Sequence, residues 1–213
     1  MTHKTTLIFD FDGTIANTFD VMIELFNSIS LKHHIKPITK ELLNIYLDMP
    51  LRKRMKAHGV KLRQVPFLLK DAYSNHETFL QKASPFENIK EILASLSESY
   101  NLHIASSNKK DLILSFLKTH DIHVFKKVYA KQTLFGKDKL LLSLLKKEKL
   151  WIEEVLYIGD ELRDIESCQK IGMDILPVSY GYDKEALLKK HYQQVIMSTP
   201  LELYNDLKKK LDF

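Results

Sequence analysis

Cysteine is almost absent: Cys168 is the only one in 213 residues. No internal disulfide can form and no cysteine-rich zinc site can be built, which agrees with a reducing, cytoplasmic setting. Long apolar runs are missing too. None approaches the roughly 20 residues needed to span a bilayer, so no membrane partner is expected. The first residues pass straight into a short apolar run and an acidic motif, with no stretch long enough for a secretory signal. The nine histidines fall in no metal-ligand spacing. No segment is repetitive or of low complexity. Acid is lacking in one place, residues 49–70, where Arg52, Lys53, Arg54, Lys56, Lys61, Arg63 and Lys70 stand without an Asp or Glu. Such a run is either a solvated helical face or a means of attracting an anionic substrate. Nucleic acid is not expected, because no recognised binding motif accompanies the bases.

What remains has the balance of an ordinary globular protein, with 45% apolar and 28% charged residues. The length suits one substantial domain, or one with a smaller insert. Short β-branched or apolar runs at 5–9, 102–105, 124–130, 155–158 and 174–178 read as buried strands. Between them, 89–96, 112–117 and 140–145 carry helical patterns. Strands alternating with helices of this length predict an α/β fold with a mainly parallel sheet covered on both faces. One stretch breaks the alternation. From about 18 to 83 the pattern is helical throughout, with Phe19, Met22, Ile23 and Phe26 on one apolar face and Phe67, Leu68, Tyr73, Phe79 and Leu80 suggesting another. The joints around Ala16-Asn17 and Ala83-Ser84-Pro85 read as non-helical hinges of an inserted helical lid.

Chemistry gathers where strands end. The first is followed by Asp10-Phe11-Asp12-Gly13-Thr14. In a parallel sheet ligands bind at the C-terminal strand ends, and two carboxylates there are costly unless a cation or a reaction needs them. Ser106-Ser107-Asn108 ends a second strand, with Asn108 in position to cap the next helix. Hydroxyls and free backbone N–H groups at a helix start form an anion site. Lys137 follows Phe135-Gly136 in the loop after a third strand, with Lys139 as the alternative lysine and a helix expected from Asp138. Gly159-Asp160-Glu161-Leu162-Arg163-Asp164 ends a fourth. Together these residues predict a cation site beside a phosphate site. Each has a plainer reading: an Asp-Gly turn, a helix cap at Ser106, an acidic first-turn residue at Asp164.

These four motifs, in this order, resemble the haloacid dehalogenase-like hydrolases, and especially their phosphoglycolate-phosphatase-like branch. The proline that commonly follows the third-motif lysine there is missing here. The resemblance spans nearly the whole chain and implies a Rossmann-like, mainly parallel sheet core (1–16 and 84–213) with an inserted α-helical cap (17–83). It implies a magnesium-dependent phosphatase acting on a small phosphorylated metabolite. Asp10 would be the nucleophile that accepts the phosphoryl group, and Asp12 the acid that protonates the leaving group and then the base that deprotonates water. Mg²⁺ would lie between the Asp10 carboxylate, the Asp12 backbone carbonyl and the Asp160 carboxylate. Ser106, Ser107 and Lys137 would hold phosphoryl oxygens, and Asp164 would orient a metal-bound water or Lys137. In the cap, the loop Tyr46-Leu47-Asp48-Met49-Pro50-Leu51-Arg52 would reach the substrate, with Arg52 or Arg54 binding a second anionic group. A phosphomutase would share every core residue. A phosphonate hydrolase would need a cap lysine such as Lys53 or Lys56. A dehalogenase would generally lack the second acid, Asp12. A catalytically idle binding protein is disfavoured by the intact set.

Overall fold

The structure is a computed structural model that describes residues 4–132 and 134–209, the side chains of 75–78 excepted. Positions 1–3 and 210–213, the outer limits of the expected core, lie outside the described residues. The chain opens with β1 (Thr6–Phe9), β2 (Ala16–Asn17), α1 (Phe19–Ser30), α2 (Lys40–Tyr46), α3 (Leu51–Ala57) and α4 (Val65–Leu80). It continues through β3 (Ser84–Pro85), α5 (Ile89–Leu96), β4 (Asn101–Ser106), α6 (Lys110–Thr119), β5 (Phe125–Ala130) and α7 (Lys137–Glu148). It closes with β6 (Val155–Gly159), α8 (Leu162–Ile171), β7 (Asp174–Pro177), α9 (Glu185–Lys189) and α10 (Pro200–Lys209).

Five strands form one parallel sheet in the order β5-β4-β1-β6-β7. The central strand β1 is apolar or β-branched at every position and wholly buried. Its side chains alternate between faces, as the pleat requires. Leu7 and Phe9 join the core built with α5, α6 and α10, whereas Ile8 joins the core built with α7, α8 and α9. The α/β class expected from the alternation of elements is therefore what the chain adopts. β5 differs from the expectation of a buried strand: it is the sheet's edge, and Lys126 and Lys127 are exposed there. Charged lysines on an edge strand discourage pairing with another chain.

The stretch expected to be helical holds α1 to α4, with α1 packed on α4. The joints on either side are not loose: Ala16 pairs with Pro85 and Asn17 with Ser84, an antiparallel ribbon of two residues a side. Of the apolar residues expected on α4, Leu68 and Leu80 are buried but Phe67 is 63% exposed. On α1, Leu25 is buried and Ile29 joins the small core with Ile35 and Leu68, while Phe19, Met22, Ile23 and Phe26 remain half-buried.

Candidate active site

Asp10 sits at the C-terminal end of β1 and is almost wholly buried. One carboxylate oxygen, Oδ1, accepts a hydrogen bond from its neighbour's backbone, Phe11 N, at 2.8 Å. The other is ion-paired with Lys137 Nζ, which also donates to Asp164 Oδ1 at 2.5 Å. Of the two candidate lysines, Lys137 is buried among the acids and Lys139 is exposed. α7 begins at Lys137 itself, one residue before the expected start, with Gly136 as its N-cap.

Asp160, at the end of β6, is fully buried and held from both sides. Thr14 Oγ1 donates to its Oδ1 at 2.7 Å and Tyr182 N to its Oδ2 at 2.8 Å. Two glycines make room for it. A Cβ on Gly13, which has a positive φ of 78°, would run into the Asp160 carboxylate, and a Cβ on Gly181 would strike the same carboxylate and the Gly13 carbonyl. Asp164, in the first turn of α8, is fully buried, with Oδ1 on Lys137 and Oδ2 accepting from Glu161 N at 3.1 Å.

Oxygens of Asp10, Asp160 and Asp164 lie within 4.8 Å of one another. Burial and the neighbouring acids work against ionisation here. Asp10 is pushed up to about 7 by burial, against the pull of Lys137. Asp160 is pushed well above the carboxylate range by burial, then by Glu161 and Asp10. Lys137 goes the other way: burial would lower its pKa, but Asp10 and Asp164 more than offset that and raise it. Asp12, half-buried, has Oδ2 on the Asn108 carboxamide at 3.0 Å, and its buried Oδ1 has no hydrogen-bond partner among the described residues. Crowded buried carboxylates, short of positive charge and with an orphaned oxygen beside them, are a donor set that fits a hard divalent cation.

On the other side of β1, Ser106 is fully buried at the end of β4, its Oγ accepting from Asn108 N at 3.0 Å. Ser107 is half-buried and its carbonyl accepts from Tyr73 OH of α4 at 3.0 Å. Asn108 is not the helix cap expected of it. The N-cap of α6 is Lys109, without a side-chain cap, while Asn108 Nδ2 donates to Asp12 and its Oδ1 accepts from Lys109 N at 2.7 Å.

The candidate residues outside the sheet divide. Arg54 is ion-paired with Asp183, which also accepts from Leu162 N at 2.7 Å. Arg52 is exposed, with its guanidinium 4.0 Å over the centre of the Phe135 ring. Lys53 and Lys56 are exposed on α3.

Residues 7–178 match the family model described as haloacid dehalogenase-like hydrolase. The chain belongs to the haloacid dehalogenase-like hydrolase family. A phosphoglycolate phosphatase of Synechococcus elongatus is 26% identical over 199 residues, covering 92% of this chain and 94% of the relative. An N-acetylmuramic acid 6-phosphate phosphatase of Pseudomonas aeruginosa is 27% identical over 226 residues, covering 96% and 95%. In fold, a haloacid dehalogenase-like family protein of Streptococcus pneumoniae superposes with a TM-score of 0.81 at 21% identity, over 97% of this chain and all of that one, 100%. The hydrolase belongs to the phosphoglycolate-phosphatase-like branch, and its class is that of phosphoric monoester hydrolases.

Sequence reading missed a whole side of this hydrolase's site. The loop after β7 brings Tyr180, Gly181, Tyr182 and Asp183 against it: Tyr180 OH donates to the Thr14 carbonyl at 3.2 Å, and Tyr182 OH bonds Thr18 Oγ1 at 2.7 Å. Two tyrosines and a glycine directly after the last strand, at the same sheet end as the other motifs, were the available signal. Arg163 was missed as well. It pairs with Glu161 and donates to the Leu134 carbonyl at 3.0 Å, tying α8 to the loop before Lys137.

Proposed function

We propose that the hydrolase is a magnesium-dependent phosphatase that moves the phosphoryl group of a small metabolite through an aspartyl-phosphate on Asp10. The observation that carries the reading is the buried Asp10, with a carboxylate neighbour in Asp160 on one side and the Lys137 ammonium on the other. Mg²⁺ would be held by the Asp10 and Asp160 carboxylates and the Asp12 carbonyl, where it neutralises acid charge and polarises a phosphoryl oxygen. The protein supplies the rest. Asp10 forms the new O–P bond as the ester P–O bond breaks, and Asp12 hands its proton to the departing alkoxide. A water then attacks phosphorus, Asp12 takes its proton, and Asp10 is released with inorganic phosphate. Ser106, Ser107 and Lys137 bind the non-bridging oxygens, and Asp164 orients Lys137. The Asn108 amide on Asp12 supports this division, since it fixes one oxygen and leaves the other for the proton. The helices at 17–83 act as a cap over the core at 1–16 and 84–213, closing the site from water. Of the cap arginines expected to meet a remote anionic group, Arg54 is engaged by Asp183 and Arg52 lies over the Phe135 ring, so neither is assigned that role. A reducing cytoplasm suits the lone buried Cys168.

The test is release of phosphate from an aryl phosphate by the purified full chain, with and without Mg²⁺, beside Asp10→Asn. Turnover should require the metal and vanish in the variant. Metal-independent turnover, or a variant within about tenfold of wild type, a barrier difference of only ~1.4 kcal/mol, would sink the covalent mechanism.

A further inference from the structure

The helices α1 to α4 line a half-open cavity of about 290 Å³. Phe19, Met22, Phe26, Leu43, Met55 and Leu69 are among the side chains that line it. The half-buried apolar face of α1 lines this pocket, with Phe26 also packed against the small core of Ile29, Ile35 and Leu68. The few polar groups on the wall are engaged within the protein. Tyr46 OH bonds His58 Nδ1 at 3.1 Å, and His58 Nε2 bonds the Lys36 carbonyl at 2.6 Å. Arg54 donates to the Met49 carbonyl at 2.6 Å and pairs with Asp183. What the cavity offers a guest is therefore hydrocarbon.

It also reaches the site. Leu134 and Tyr182, both from loops at the C-terminal end of the sheet, form part of the wall. Tyr182 is the residue whose backbone N–H holds Asp160 and whose hydroxyl meets Thr18. Tyr182 thus stands between the Asp160 end of the site and the cavity.

Resting on the phosphatase reading of Asp10, we infer that this cavity receives the leaving-group side of the substrate, and that the preferred substrates are monophosphate esters of apolar alcohols. A Leu-, Ile- and Phe-lined cavity of about 150 Å³ holds a benzene ring. Nearly twice that volume admits an aliphatic chain of roughly eight to ten carbons, or an aromatic ring with a short side chain. The carboxylate of a two-carbon acid finds no such match. Among the described residues, Arg54 is the one arginine or lysine on the wall, and Asp183 already engages it.

A homologous series of n-alkyl phosphates from ethyl to dodecyl, below their micellar concentrations, tests this with the full chain and Mg²⁺; phosphoglycolate and an aryl phosphate run alongside. The expected result is a rise in kcat/KM of about three- to fourfold per methylene that stops once the cavity is full. Ala72→Leu, which fills part of the wall, should move the peak to shorter chains. A flat or falling series, with phosphate still released from phosphoglycolate or the aryl ester, overturns the inference and leaves the phosphatase reading intact. Loss of release from every ester overturns both. An unmoved peak in an Ala72→Leu protein that melts like wild type shows that the chain binds elsewhere. If that variant does not fold, the wild-type series decides alone.

Discussion

Asp183 is 3% exposed, yet it carries a charge at neutral pH only with help from Arg54 and Leu162 N. Burial is the largest influence on it, Glu161 the next, and both outweigh Arg54, so its pKa rises from 3.8 to about 6. A carboxyl whose pKa is raised by folding gives its full stabilisation below its unfolded pKa and loses it as pH climbs through the folded one. The unfolding free energy of wild type minus that of Asp183→Asn should therefore fall between pH 4 and pH 6.5, by on the order of 3 kcal/mol at roughly 1.4 per pKa unit. Urea titrations of both proteins across that range measure it. A difference that stays flat, or grows with pH, would show that the carboxyl titrates as in the unfolded chain. Nothing in the sequence marks Asp183 for this task, because its partner lies 129 residues away. Asp10, Lys137 and Asp160 were legible for the opposite reason: each follows its own strand of one parallel sheet, so a reading of the strands alone brings them to one rim. Asn108 was misread because a local role, capping, was visible and its bond to Asp12 was not.

Among the elements, the loop after β7 packs closely against the Asp160 carboxylate. Gly181 lies where a methyl group would meet backbone as well as side chain, so the contact cannot be relieved by a rotamer change. Gly181→Ala should push Asp160 from its place between Thr14 and Tyr182. A displacement near 1 Å in such a site costs about 100-fold in rate, while the overpacking itself costs about 1–3 kcal/mol. The expected outcome is thus a drop in kcat far larger than the loss in urea midpoint implies. A variant with near wild-type kcat would show that Asp160 tolerates movement. The strands and helices of the sheet were readable from periodicity, since burial on two faces demands continuous apolar runs. The paired joints β2 and β3 were not, because two residues are too few to carry a period. The edge position of β5 was hidden in the same way, as order within a sheet is set by crossings that composition does not record.

For the molecule as a whole, the acids at the strand ends are a liability that a cation would relieve. A ligand that binds only the folded state stabilises it by mass action, by about 2.7 kcal/mol at a hundred times its Kd. In a protein of this size that corresponds to a rise in melting temperature of roughly 5–10 °C. Thermal melts with saturating Mg²⁺ should show such a rise in wild type and none in Asp160→Ala, whether or not a substrate is known. Equal melts with and without the metal would contradict the cation site. The ribbon that joins the two halves has a different consequence. Because Ala16 lies across from Pro85 and Asn17 across from Ser84, the chain leaves the sheet and returns to it at a single point. Everything between those residues is, in topological terms, a pendant on a closed ring. Its length and its sequence can drift, or be exchanged for another's, with no strand of the sheet having to change its neighbour.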